Sequence, residues 1–316
     1  MSLELANKYN CEIICADSMT VYREMNIGTD KPEYDSPSPR HSRHSTLRPE
    51  PHRSVSKSEG GNPVLDSSCA QNDERFFQGV RHHLLDIVNP DEEFNVVIFV
   101  EKVKTIVADI YSRGKVPMLV GGSVMYIDAY IYDYQMPSVA PDAELRAKLD
   151  SKTEEELFKQ LCGCDPDCEW TVDRHNKRRI IRAIEVCHAT GKPLAEQKSK
   201  KPLPENVLYL AVEKEREELY AQIDTRVDAM FRQGFVDEVR ALHTKYDHNT
   251  AMQAAGYRQI IQFLDGKIDL ETAISKTKQV HRNYAKRQLT WLRRNEDIHW
   301  VKNTNEAKDL IDVFLR

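Results

Sequence analysis

Apolar and polar positions along this chain follow two periods. Residues 13–16 (IICA) form an apolar run too short for a helix, and it passes directly into Asp17 and Ser18, the pattern of a buried strand. Residues 82–88 (HHLLDIV) and 116–123 (VPMLVGGS) read the same way, the second ending in a Gly-Gly turn, and 208–213 and 298–301 add two more strands. Between them, 96–114 (VVIFVEKVKTIVADIYSRG) spaces its apolar residues as a helix does. Strands alternating with helices predict an α/β fold with a mainly parallel sheet. Ligands of such sheets bind just outside the carboxyl ends of strands, and Asp17 stands at such an end. Two readings of it are open here: Asp and Ser cap helices, and a carboxylate at a strand end can move protons.

Other stretches lack the strand period. From 135 to 200 no strand is expected; 144–163 and 176–191 read as helices, the second closed by Gly191-Lys192-Pro193. Residues 214–245 predict one long amphipathic helix or a pair, and 269–295 another. The opening MSLELANKYN resembles the second half of an amphipathic helix. Residues 33–79, rich in Ser, Pro, His and Arg and poor in large apolar side chains, predict a disordered insertion, because such a segment buries too little surface to offset its ordering entropy.

Charge sharpens this picture. The chain has 316 residues and a formal net charge of −5, which argues against indiscriminate coating of nucleic acid. Two local segments run the other way: 174–182 (RHNKRRIIR) and 281–294 (HRNYAKRQLTWLRR) each carry five Lys or Arg and no acid. Basic stretches on an acidic background point to a specific anionic partner; solvated helix faces would intersperse acids. Arg178 and Arg182 fall on one helical face with Arg179 beside them, Ile180, Ile181 and Ala183 supply the packed side, and Arg282 and Lys286 repeat the i, i+4 spacing. Leu289 and Trp291 are expected to pack inward. Seven scattered cysteines without a secretion signal predict reduced thiols in a cytosolic protein. Cys162, Cys164 and Cys168 lack the paired spacing of a zinc site, so incidental cysteines are preferred over a metal. No run of eighteen apolar residues occurs, so no membrane span is expected.

Six segments, EIICADSMTVYREMNIGTDKP, HHLLDIVNPDEEFNV, VPMLVGGSVMYI, RRIIRAIEVCHATGKPL, AGYRQIIQFLDG and YAKRQLTWLRR, in this order and spacing, resemble the tRNA dimethylallyltransferases, also called tRNA isopentenyltransferases. The resemblance spans nearly the whole chain outside 33–79. It implies a P-loop NTPase-like α/β core (1–32 and 80–134), a helical tRNA-binding insertion (135–200), and a core strand with C-terminal helices bearing a basic face (201–316). It implies transfer of a dimethylallyl group from dimethylallyl diphosphate to N6 of the adenosine adjacent to the anticodon, in a cytoplasmic monomer with Mg2+ as cofactor and no protein metal ligands assigned.

The residue roles it implies are these. Asp17 is the general base, with Ser123 and Arg216 as further catalytic residues. Gly121, Gly122, Ser123 and Arg216 face the diphosphate, Gly121 to Ser123 through backbone N–H groups and a hydroxyl; on residues alone, a plain tight turn is the less favoured reading of Gly-Gly, and a surface ion-pair residue the usual reading of Arg216. The tRNA is met by Ser18, Met19 and Thr20, by Arg178, Arg179, Ile180, Ile181 and Arg182, by Ala255, Gly256, Tyr257, Arg258 and Gln259, and by Arg282, Lys286 and Arg287. Three departures stand out. Thr20 occupies a position where the family commonly has Gln, which can grip an adenine edge in two places. Gln222 replaces a second Arg, for which Arg226 could substitute. No G-x-x-x-x-G-K-[ST] loop occurs in these 316 residues, implying weak hold on the diphosphate. That departure keeps open a non-catalytic tRNA-binding protein; prenylation of free adenine nucleotide ranks lower, since it needs no basic helices, and an ATP-dependent kinase is disfavoured.

Overall fold

The structure is a computed structural model, describing residues 1–35, 75–135, 137, 139–194, 196, 199–246, 249 and 251–316. A short helix, α1 (Ser2–Lys8), leads into β1 (Cys11–Cys15). β2 (Arg75–Phe77), β3 (Val80–His83) and β4 (Val116–Val120) complete one sheet of order β2-β3-β1-β4. β1 is parallel to β3 and β4; β2 joins β3 in an antiparallel hairpin at the edge. The expected strand over 82–88 therefore ends at His83, because Leu84 and Asp86 adopt positive φ and turn the chain. Most of the expected insertion, 36–74, lies outside the described residues. Its described flanks are held in place: Arg75–Phe77 form β2, and the Asp35 carboxylate accepts from the Gln78 and Gly79 N–H groups of the hairpin turn, at 3.1 and 2.9 Å.

β1 to β4 carry helices between them. Asn95 accepts from the N–H groups of Val97 and Ile98 and so starts α2 (Val96–Ser112), whose Phe99, Val103 and Ile110 are buried. After β4 comes α3 (Val124–Ile131). A second sheet holds β5 (Tyr209–Val212) and β6 (Ile298–Val301), parallel to each other. The single expected sheet is thus two: among the described residues, neither β4 nor β5 has a strand paired on its other edge. Leu5 of α1 spans the division, clustering with Met118 of β4 and Leu210 of β5.

Four helices between the sheets, α4 (Ala143–Asp150), α5 (Glu154–Cys162), α6 (Cys168–Thr171) and α7 (Lys177–Thr190), pack on a hydrophobic cluster of their own. Gly191, at φ 70°, ends α7 in the left-handed conformation that glycine tolerates best. Cys162 and Cys168, six residues apart where α5 ends and α6 begins, form a disulfide with Cα atoms 5.4 Å apart, which corrects the expectation of thiols throughout. The long C-terminal helical segment is a pair, α8 (Arg216–Arg232) and α9 (Phe235–Lys245), broken by Gly234 at φ 99°. α10 (Tyr257–Leu264), α11 (Leu270–Leu292) and α12 (Thr304–Phe314) follow. No described helix is long and apolar enough to cross a membrane.

Candidate active site at the carboxyl ends of β1 and β4

β1 and β4 run parallel and in register, Cys15 opposite Val120, so their exits lie side by side. Gly121 makes this closeness possible: a Cβ there would sit 2.1 Å from the Ala16 carbonyl oxygen. Past the exits no helix follows Asp17. Its Oδ1 instead accepts from the N–H groups of Met19 (2.7 Å) and Thr20 (3.2 Å), an Asx turn. The capping alternative thus resolves into a turn that fixes the carboxylate, and Oδ2 has no partner among the described residues.

Two more bonds stitch the turn to its neighbour. The Ser18 N–H donates to Ser123 Oγ at 2.9 Å, and the Ser123 N–H donates to the Ala16 carbonyl at 3.0 Å. The second corrects an expectation: Ser123's own N–H is committed to the fold and cannot serve an anion. Its hydroxyl accepts from Ser18 and, as donor, interacts with the Tyr284 hydroxyl.

Two residues that sequence reading passed over close the site. Gln288 Nε2 donates to the Gly122 carbonyl at 2.7 Å, and the Tyr284 hydroxyl donates to the same oxygen at 3.3 Å. They lie four apart on α11, one face of a helix, inside the very segment quoted for its basic residues. That i, i+4 pair of polar groups among the arginines was the available signal. Burial, then the Asp17 carboxylate, push the Tyr284 pKa up; Tyr126 behaves likewise, with burial first and Tyr22 and Asp17 after it. Both hydroxyls thus stay protonated within electrostatic reach of the carboxylate. α11 is itself anchored to α3: Trp291 is 39% exposed rather than packed inward, yet its indole N–H reaches the buried Asp128 at 2.7 Å.

The remaining expected residues sort by exposure. Arg216 opens α8 with its guanidinium 5.2 Å from the Tyr220 ring centroid. Gln222 bonds Lys214 and Glu218, and Arg226 pairs with Asp30 at 3.6 Å and with His281 Nδ1 at 3.1 Å. Neither Arg216 nor Arg226 is hydrogen-bonded to the Gly-Gly-Ser turn. Arg178 and Arg179 are exposed, as are Arg258, Lys286 and Arg287. Ile180 and Ile181 are corrected as contacts: at 0% and 6% exposure they are core of the helical unit. Arg182 bonds Glu185 (3.3 Å), three residues further along α7, and the Val139 carbonyl (2.9 Å), and Arg282 bonds Asp224 of α8 (2.6 Å), so both are held in structural ion pairs. The Thr20 hydroxyl is buried without a hydrogen-bond partner among the described residues. Tyr257 is fully buried and Gly256 is buried with it, while Gln259 Oε1 accepts from the Gly256 N–H at 2.9 Å, making that loop's inner half a support for Ala255 and Arg258.

Comparison with known proteins agrees with this assembly. The IPP transferase family profile matches residues 65–295, more than half of the chain. The chain belongs to the IPP transferase family. Among its relatives, the tRNA dimethylallyltransferase of Anoxybacillus flavithermus is 37% identical over 97% of this chain and 87% of that protein. The enzyme of the same name from Natranaerobius thermophilus is 35% identical over 96% and 83%. Of solved structures, the tRNA isopentenylpyrophosphate transferase of Bacillus halodurans superposes with a TM-score of 0.61 at 30% identity, covering 99% of this chain and 89% of that one. A eukaryotic dimethylallyltransferase acting on tRNA gives 0.66 at 25% identity, over 97% of this chain and 71% of that one. This IPP transferase is therefore an enzyme of the tRNA-modifying kind, with the mostly parallel α/β fold of its relatives.

Proposed function

We propose that this chain transfers a dimethylallyl group from dimethylallyl diphosphate to N6 of the adenosine beside the anticodon of tRNA, with Asp17 as general base. The observation that carries this reading is the posture of Asp17. One carboxylate oxygen is pinned by two N–H groups and the other has no partner among the described residues, at the strand end beside the Ser123 hydroxyl. In the reaction the N6–C1 bond forms as the C1–O bond breaks; the diphosphate leaves with the bonding electrons, and the N6 proton passes to Asp17 Oδ2. An exocyclic amine is a weak nucleophile, so a fixed base within reach of its proton contributes on the order of 10²–10⁴ in rate. Charge develops on the departing diphosphate, and Gly121, Gly122 and the Ser123 hydroxyl are the donors nearest this turn, with Arg216 assigned to the same anion.

The amine is reached only if the base leaves its stack. Arg178 and Arg179 on α7 and Lys286 and Arg287 on α11 are the exposed cations that support phosphate contacts, which position the stem without reading it. Mg2+ is the ion this chemistry is expected to use. Among the described residues no three His, Cys, Asp or Glu side chains gather as a metal site. Every step above is assigned to protein groups. A monomer in the cytoplasm is part of the same proposal.

Incubating the chain with unmodified tRNA, dimethylallyl diphosphate and Mg2+, followed by mass spectrometry of the nucleosides, tests it. Dimethylallyl adenosine is expected. Salt-dependent tRNA binding with no product would favour a non-catalytic binder, and product on free adenine nucleotide alone would reassign the acceptor.

A further inference from the structure

Glu238, on α9, is used by nothing described above, and its surroundings are unusual. Its carboxylate accepts from three consecutive backbone N–H groups, Asn26 (2.9 Å), Ile27 (2.7 Å) and Gly28 (3.1 Å), and from the Tyr257 hydroxyl (2.7 Å). Successive amides converging on one anion form a nest. Here the nest is filled by the protein's own side chain. The two partners are separated by more than two hundred residues. One is the turn after the Asp17 strand; the other opens α10 and carries the exposed Arg258.

Packing makes the arrangement tight. A Cβ at Gly28 would come within 2.2 Å of the Phe235 ring and 2.5 Å of the Tyr257 ring. Those two rings meet edge to face, with centroids 5.0 Å apart. Thus α9 supplies both an apolar wall through Phe235 and a charged latch through Glu238. Around this junction the turn is held from α8 as well, by Arg226 on Asp30 at 3.6 Å. Carboxylates that receive several N–H bonds form the stronger, charge-assisted class of hydrogen bond, so the latch fixes the turn and Arg258's loop in mutual register.

We infer that Glu238 is a positioning residue for the RNA: it shapes the surface formed by 26–32 and 255–258 against which the tRNA docks, without touching the diphosphate donor. This rests on the function proposed above. The expected consequence is a split. Glu238→Gln keeps the shape but replaces one acceptor oxygen by a donor, which faces N–H groups that already donate. The KM and Kd for tRNA are then expected to rise about tenfold, with the KM for dimethylallyl diphosphate unchanged. Tyr257→Phe removes a single hydroxyl and leaves the turn's three bonds, so it keeps the fold while raising the tRNA Kd about threefold. Glu238→Asp, restoring the charge on a shorter stem, is expected to recover part of the affinity.

The measurement is tRNA binding by wild type, Glu238→Gln, Glu238→Asp and Tyr257→Phe, alongside steady-state kinetics in each substrate. A merely structural role would lower the melting temperature and raise both KM values together, and that result overturns the inference. Unchanged tRNA affinity in Glu238→Gln and Tyr257→Phe, with wild type binding normally, overturns it alone. A wild-type chain that binds no tRNA overturns it together with the functional reading on which it rests.

Discussion

Lys31 and Asp86 form an ion pair at 2.5 Å, and their side chains are 2% and 9% exposed. Lys31 Nζ also donates to the Tyr22 carbonyl and, at 3.4 Å, to Asn26 Oδ1; Asp86 Oδ2 accepts from the Tyr34 hydroxyl at 2.6 Å. Burial is the largest influence on Lys31 and pulls its pKa down, outweighing the opposite pull of Asp86. On the Lys31 side desolvation outweighs the attraction of Asp86, so the two halves of the pair should behave very differently from the whole. Asp86→Asn preserves volume and an acceptor for Tyr34 but strands a buried ammonium, which costs about 3–5 kcal/mol. In a chain of this size that lowers the melting temperature by roughly 6–12 °C. Adding Lys31→Met removes the stranded charge, so the double variant should recover at least about 2 kcal/mol relative to Asp86→Asn. Urea unfolding followed by circular dichroism, on wild type, both single variants and the double, gives the cycle. Strict additivity, or an Asp86→Asn cost below about 1 kcal/mol, would refute the reasoning, because a solvated pair behaves that way.

Three further outcomes are expected. Gly28→Ala forces a methyl into the Phe235 and Tyr257 rings and should destabilise by about 1–3 kcal/mol, read by the same unfolding assay. Trp291→Phe removes the indole N–H from the buried Asp128, whose other donor is the Tyr209 hydroxyl at 3.1 Å; a loss of about 1–3 kcal/mol is expected, with a slower reaction if α11 then releases Gly122. Burial, then Arg226, push the His281 pKa down to about 4. The unfolded chain then binds a proton that the folded one refuses, so stability is complete above the ordinary histidine pKa and falls, by up to about 3 kcal/mol, as pH drops from about 6.5 toward 4. His281→Gln should flatten that part of the profile, measured as denaturation midpoint against pH.

How much of this was legible in the sequence depends on where the deciding contacts lie. β1, β4, β5 and β6 could be read directly, since a buried strand announces itself by an apolar run and a turn. The exit from β1 into Asp17 was equally plain. The strand at 82–88 was overextended because positive φ at Leu84 and Asp86 leaves no mark in hydropathy. The division of the sheet was invisible because strand pairing is a long-range property. The basic segments were read as two free faces; Asp224 and Glu185, which neutralise Arg282 and Arg182, come from other turns and other helices. Ile180 and Ile181 were swept into a contact segment although their period marks them as core. Tyr284, Gln288 and Glu238 escaped for one reason: each acts on a backbone group far away in sequence, and only the fold brings it there.

The most direct test of the central claim is single-turnover prenyl transfer by Asp17→Asn, with saturating dimethylallyl diphosphate and tRNA. Asparagine can keep the two bonds from Met19 and Thr20, so the turn and the tRNA affinity should persist while the base is gone. A fall in rate of about 10²–10⁴ with undiminished tRNA binding is the result expected. A rate equal to that of the wild type would contradict the account and place proton removal on another group.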